Sequence, residues 1–98
     1  MDINIKHEQN FIVELIGRLD TTTAPILDAK LKEEKIEEQI VVLDFSLVEY
    51  ISSAGLRSLL ALKKNLDAQN KKLEIHNIND VVKEVFNVTG FINILTIK

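Results

Sequence analysis

Val41-Val42-Leu43-Asp44-Phe45-Ser46-Leu47-Val48-Glu49-Tyr50-Ile51-Ser52-Ser53-Ala54-Gly55-Leu56 is the most informative stretch of this 98-residue chain. Ile40 to Leu43 form an apolar run with the length and β-branched content of a strand buried on both faces. Asp44 to Ile51 read as the connection that follows it. Beyond the two serines, Leu56, Leu59, Leu60 and Lys63 recur at helical spacing and share one face. Ser52 or Ser53 therefore stands where a helix begins, beside unpaired backbone N–H groups and the positive end of the helix dipole. That position suits an N-cap, and it equally suits a phosphate.

Upstream, Ile3, Ile5 and His7 alternate with Asn4 and Lys6, the pattern of an edge strand. Glu8-Gln9-Asn10 turns the chain into a stronger strand, Phe11 to Ile16, stopped by Gly17, so the two form an antiparallel hairpin. After Gly17-Arg18-Leu19-Asp20, the run Thr21-Thr22-Thr23-Ala24-Pro25 signals a helix start with Thr23 as N-cap. This helix carries Leu27 and Leu31 on one face and is expected to finish near Ile36 to Glu38.

Downstream, Asn70-Lys71-Lys72 turns into a strand, Leu73 to His76. Asn79 or Asp80 caps a third helix bearing Val81, Val82, Val85 and Phe86, which ends at Thr89-Gly90 in a left-handed residue. Phe91 and Ile92 pack inward, and a short strand falls within Ile94 to Ile97. Strands that alternate with helices imply parallel crossovers. The expected fold is α/β in the order β-β-α-β-α-β-α: one domain with a mixed sheet of four to five strands and helices packed on it.

Composition narrows the function. With 46% hydrophobic and 28% charged residues, the chain has the balance of an ordinary globular protein rather than a disordered one. A net charge of −3 without a basic stripe argues against nucleic-acid partners and anionic membrane surfaces. The absence of cysteine removes disulfides, thiolate chemistry and Cys-bound zinc, and it fits a reducing compartment. No secretory signal and no apolar run of membrane-spanning length is present, so the cytoplasm is the expected location.

Ser53 is the sharpest candidate, as a helix cap or as a modification site. Phosphorylation there would add roughly −1.5 to −2 charges at a place that tolerates them, so a docking partner would feel the change most. A serine hydrolase would need a base; the only histidines are His7 and His76, and no Gly-x-Ser-x-Gly elbow is present. Asp20 and Asp44, both at expected strand ends, could meet as metal ligands, yet a turn or a cap explains each one. Gly55, one turn into a helix, implies that something approaches that backbone closely. Arg57 opposes the helix dipole in the first turn, which marks it as a contact residue.

Together, Gly17-Arg18-Leu19-Asp20, the run from Val42 to Val48 and the run from Tyr50 to Leu56 resemble the STAS domain. The most similar branch is that of the bacterial anti-sigma-factor antagonists, and the likeness spans residues 1–98. The resemblance implies a partner-switching regulator with no catalysis, no cofactor and no metal of its own. Its partners would be an anti-sigma factor that is also a serine kinase, and a PP2C-type phosphatase. The family's phosphorylated serine falls on Ser53, with Ser52 as second choice, because Ser52 stands where the family often has aspartate. The implied docking surface comprises Asp20, Thr21, Thr22, Ser52, Ser53, Ala54, Gly55, Leu56 and Arg57. Within the same family, the alternative is a constitutive interaction module, such as a subunit supporting an ABC-type lipid transporter.

Overall fold

The computed structural model describes all 98 residues. Its elements are β1 (Asp2–His7), β2 (Phe11–Leu19), α1 (Ala24–Glu33), β3 (Ile40–Ile51), α2 (Ser53–Ala68), β4 (Lys72–His76), α3 (Asp80–Thr89), a 3-10 turn (Phe91–Asn93) and β5 (Thr96–Ile97). The sheet runs β1-β2-β3-β4-β5, antiparallel between β1 and β2 and parallel elsewhere. The expected α/β order holds, with β5 as the short terminal strand.

Register explains the core. Phe11, Val41 and Leu73 lie side by side, as do Val13, Leu43 and Ile75, and all six are buried in one cluster. Ala24 and Leu27 of α1, Leu56, Leu59 and Leu66 of α2, and Val82 and Phe86 of α3 join that cluster. Successive parallel crossovers of one hand place the helices on one face of the sheet. The row Ile12, Val42 and Glu74 belongs to the other face. The central strand is nonetheless buried on both faces, as its apolar run implies, with Val41 and Leu43 turned to the helices and Val42 turned away from them. Val42 is only 4% exposed, yet it lies outside the main cluster, flanked in register by Ile12 and Glu74.

Three element boundaries also move. β2 does not stop at Gly17; it continues to Leu19, with Gly17 at φ +111°, a value that favours glycine. β3 does not end at Asp44. It runs to Ile51 and gains one residue on β2 between Glu14 and Ile16, then another between Gly17 and Arg18. Each such bulge bends the strand and shifts its alternation. The buried residues in its second half are accordingly Phe45, Val48 and Ile51, three apart. Finally, α1 ends at Glu33, because Glu34 is extended at ψ 137°. The following segment is tied elsewhere: His7 reaches Glu34 at 3.6 Å and Glu38 at 3.1 Å, and Lys71 donates to the Ile36 carbonyl.

Candidate functional site

The site lies where β2 and β3 end together. Leu19 and Ile51 are the last residues in register, and the Ser52 amide donates to the Leu19 carbonyl at 2.9 Å. This bond brings the loop after β2 against the start of α2. Gly55 completes the junction: a Cβ there would stand 2.8 Å from the Leu19 carbonyl oxygen and 2.8 Å from Ile51 Cγ1. The glycine inferred from sequence to mark a close approach therefore faces a neighbouring element.

Ser52 and Ser53 divide two roles that the sequence left joined. Ser52 is the N-cap, extended at φ −98° and ψ 176°, and its hydroxyl accepts the Gly55 amide at 3.3 Å. Ser53 is the first helical residue and is exposed, and its hydroxyl takes no part in the cap. The helical amides of Ser53 and Ala54 belong to the turn that has no intrahelical acceptors. Any negative charge placed on Ser53 would meet them and the dipole together.

On the facing loop, Asp20 organises the turn. Its Oδ1 accepts the Thr22 amide at 3.0 Å and the Thr23 amide at 3.1 Å, while its own amide donates to Thr23 Oγ1 at 2.8 Å. The Thr23 amide, more than any other group, holds the Asp20 carboxyl below the usual carboxylate range; the Thr22 amide and Arg18 assist. Thr23 precedes α1 but has helical backbone angles, and its side chain caps nothing. Its hydroxyl donates instead to the Arg18 carbonyl at 2.7 Å. The expected Thr23 cap is thus replaced by a turn built on Asp20, which leaves Thr21 and Thr22 exposed.

Of the residues singled out from sequence, Thr21, Ala54 and Arg57 line one cleft between α1 and α2, joined by Pro25, Asp28 and Ser58. Asp20, Thr22, Ser52 and Ser53 sit on the two segments that form its end. Gly55 and Leu56 are buried, Leu56 at 4% exposure, so they support this surface from beneath and are not presented on it. Two contributions escaped sequence reading. Asp28 Oδ2 accepts the Ser58 hydroxyl at 3.3 Å, a bridge between helices. The spacing Thr21, Ala24/Pro25, Asp28 was the available signal for that face. Arg18 stacks on Tyr50 at 4.9 Å and approaches Asp20 at 3.8 Å, a pairing visible only once Arg18 and Tyr50 are in register.

The other chemical candidates fall apart. Asp44 pairs with Glu14 and His76 in the middle of the sheet. It lies seven residues before Ile51, a span of roughly 20 Å along the strand, so Asp20 and Asp44 do not meet. Burial pushes the Asp44 carboxyl up, but the Ser46 amide, the Asn77 side chain and His76 outweigh it and keep it low. His76 lies beside Asp44 and His7 beside Phe11, so neither histidine reaches Ser53 as a base. No helix is long and apolar enough to cross a membrane.

The STAS domain profile matches residues 2–98. BtrV of Bordetella bronchiseptica, provisionally named an anti-sigma factor antagonist, is 36% identical over 84 residues, covering 85% of this chain and 72% of its own. The anti-sigma-B factor antagonist of Bacillus subtilis is 28% identical across 100% of this chain and 91% of its own. Among solved structures, the anti-sigma factor antagonist SpoIIAA in its unphosphorylated form superposes with TM-score 0.81 at 17% identity, over 99% of this chain and 88% of its own. SpoIIAA from Bacillus in the phosphorylated form gives TM-score 0.69 at 15% identity, over 99% and 91%. At those identities the superpositions establish the fold alone. With nearly every residue inside the profile, the chain belongs to the STAS domain family, and its curated relatives are anti-sigma factor antagonists.

Proposed function

We propose that this chain is an anti-sigma-factor antagonist whose docking surface is the Asp20–Thr22 loop together with the exposed start of α2. Phosphorylation of Ser53 ends the binding. The partner is an anti-sigma factor that is itself a serine kinase, and a PP2C-type phosphatase restores the free form. The chain acts as substrate and ligand in this cycle, in the cytoplasm, with no catalysis of its own.

One observation carries the reading. Ser52 satisfies the helix cap, so Ser53 has no structural duty and offers an exposed hydroxyl at the first helical position. A phosphate there can be added without breaking the cap, and its charge falls among the residues offered for docking. Relatives named as antagonists support the general role, and the fold neighbour SpoIIAA is described in a phosphorylated form.

The test is calorimetric titration of the purified protein with the anti-sigma factor that co-purifies with it. Ser53→Ala should bind as the parent does, while Ser53→Asp should lose roughly tenfold or more in affinity, as expected for an unpaired charge in an interface. Equal binding by both variants would instead identify a constitutive interaction module. Phosphopeptide mass spectrometry on protein from its own cells fixes the modified residue, and phosphate on Ser52 would move the site by one.

A further inference from the structure

Arg57 stands in the first turn of α2, where the helix dipole disfavours a cation, and it is exposed. None of the ion pairs in the structure includes it. The other arginine, Arg18, is engaged with Tyr50 and Asp20. The helical neighbours of Arg57 at three and four residues are Ser53, Ala54, Leu60 and Ala61. Ser53 is the single polar side chain among them. The two residues are four apart with the N-terminal one as the acceptor, the favourable order for an acid–base pair on a helix. Asp28, which lines the same cleft as Arg57, already accepts the Ser58 hydroxyl.

Building on the assignment of Ser53 as the modified residue, we infer that Arg57 is the internal partner of the Ser53 phosphate. Before modification the guanidinium is free to meet an acidic or carbonyl group of the docking partner. After modification it turns one helical step back and pairs with the phosphate oxygens, a match in which a guanidinium can use two N–H donors. Phosphorylation then changes the surface twice, by adding an anion and by withdrawing its one uncommitted arginine. The shorter carboxylate of a Ser53→Asp variant has two acceptor oxygens on a shorter stem and mimics this incompletely.

The test is a 31P NMR pH titration of the full chain carrying genetically encoded phosphoserine at position 53. The second ionisation of phosphoserine, ordinarily near about 6, should be lowered by Arg57. Arg57→Gln should raise it by about 0.2 to 0.4 unit, Arg57→Lys should restore part of that shift, and Arg18→Gln should leave it unchanged. High salt should shrink the difference between the parent and Arg57→Gln. An ionisation unmoved by Arg57→Gln, or moved equally by Arg18→Gln, overturns the pairing. Circular dichroism of each variant confirms that the fold is retained. Because the phosphate is encoded, this titration decides the role of Arg57 separately from whether cells modify Ser53, which mass spectrometry decides.

Discussion

Leu19 and Gly55 meet backbone to backbone: the position of a Gly55 Cβ is 2.8 Å from the Leu19 carbonyl oxygen, and that oxygen also accepts the Ser52 amide. In an isolated helix, replacing glycine by alanine would gain about 1 kcal/mol. Here the clash outweighs that gain, because the obstacle is main chain held by two strands. Gly55→Ala should destabilise the protein by about 1 to 3 kcal/mol in urea unfolding. A stabilised variant would show that the junction yields easily.

The two serines should separate in the same assay. Ser52→Ala removes the acceptor of the Gly55 amide and should cost about 1 kcal/mol. Ser53→Ala alters an exposed side chain outside the cap and should stay within about 0.5 kcal/mol of the parent. A reversed order would assign the cap to Ser53 and remove the freedom on which its modification depends.

Asn79 joins α3 to the far end of β3. Its Oδ1 accepts the Val82 amide at 2.8 Å, and its Nδ2 donates to the Val48 carbonyl at 2.9 Å. Asn79→Ala loses both and should cost about 1 to 2 kcal/mol. Asn79→Asp keeps the cap and loses the donor, so thermal unfolding should place it between the parent and Asn79→Ala.

The contact of His7 with the segment before β3 makes stability depend on pH. The bond to Glu38 raises the His7 pKa above its ordinary 6.5, with Glu34 adding to it. A raised value means that the contribution of protonated His7 is complete below 6.5 and is lost as pH climbs through the higher folded value. Glu38 is held below its ordinary 4.5, first by its own backbone amide and then by His7, so its contribution is lost as pH falls below that region. Stability should therefore decline as pH rises above about 6.5, and His7→Gln should flatten that decline. Identical slopes for the two proteins in chemical denaturation across that range would remove His7 from the account.

Much of this fold can be read from residue order, and the departures have local causes. Asn79, Gly90 and the Phe11–Ile16 run announce their elements because each signal is local: a cap, a left-handed glycine at φ 80°, a β-branched run. The second half of β3 is hidden because two bulges space its buried residues three apart, neither the strand period nor the helical one. The end of α1 is hidden for another reason. Lys32 to Glu38 are rich in good helix formers, yet the chain leaves the helix at Glu34, and His7 and Lys71 hold the segment that follows through contacts distant in sequence. At the site, the helix start at the serines was legible, whereas the division of labour between Ser52 and Ser53 required the cap geometry itself.

The strand order β1-β2-β3-β4-β5 is also the order in which a ribosome releases the strands. No strand has to be inserted between two that are already paired. Each emerging segment finds a completed edge beside it, and its crossover helix arrives on the same side as the one before. The nascent sheet can grow in one direction, so the edge left open at any moment awaits only the next segment of the same chain.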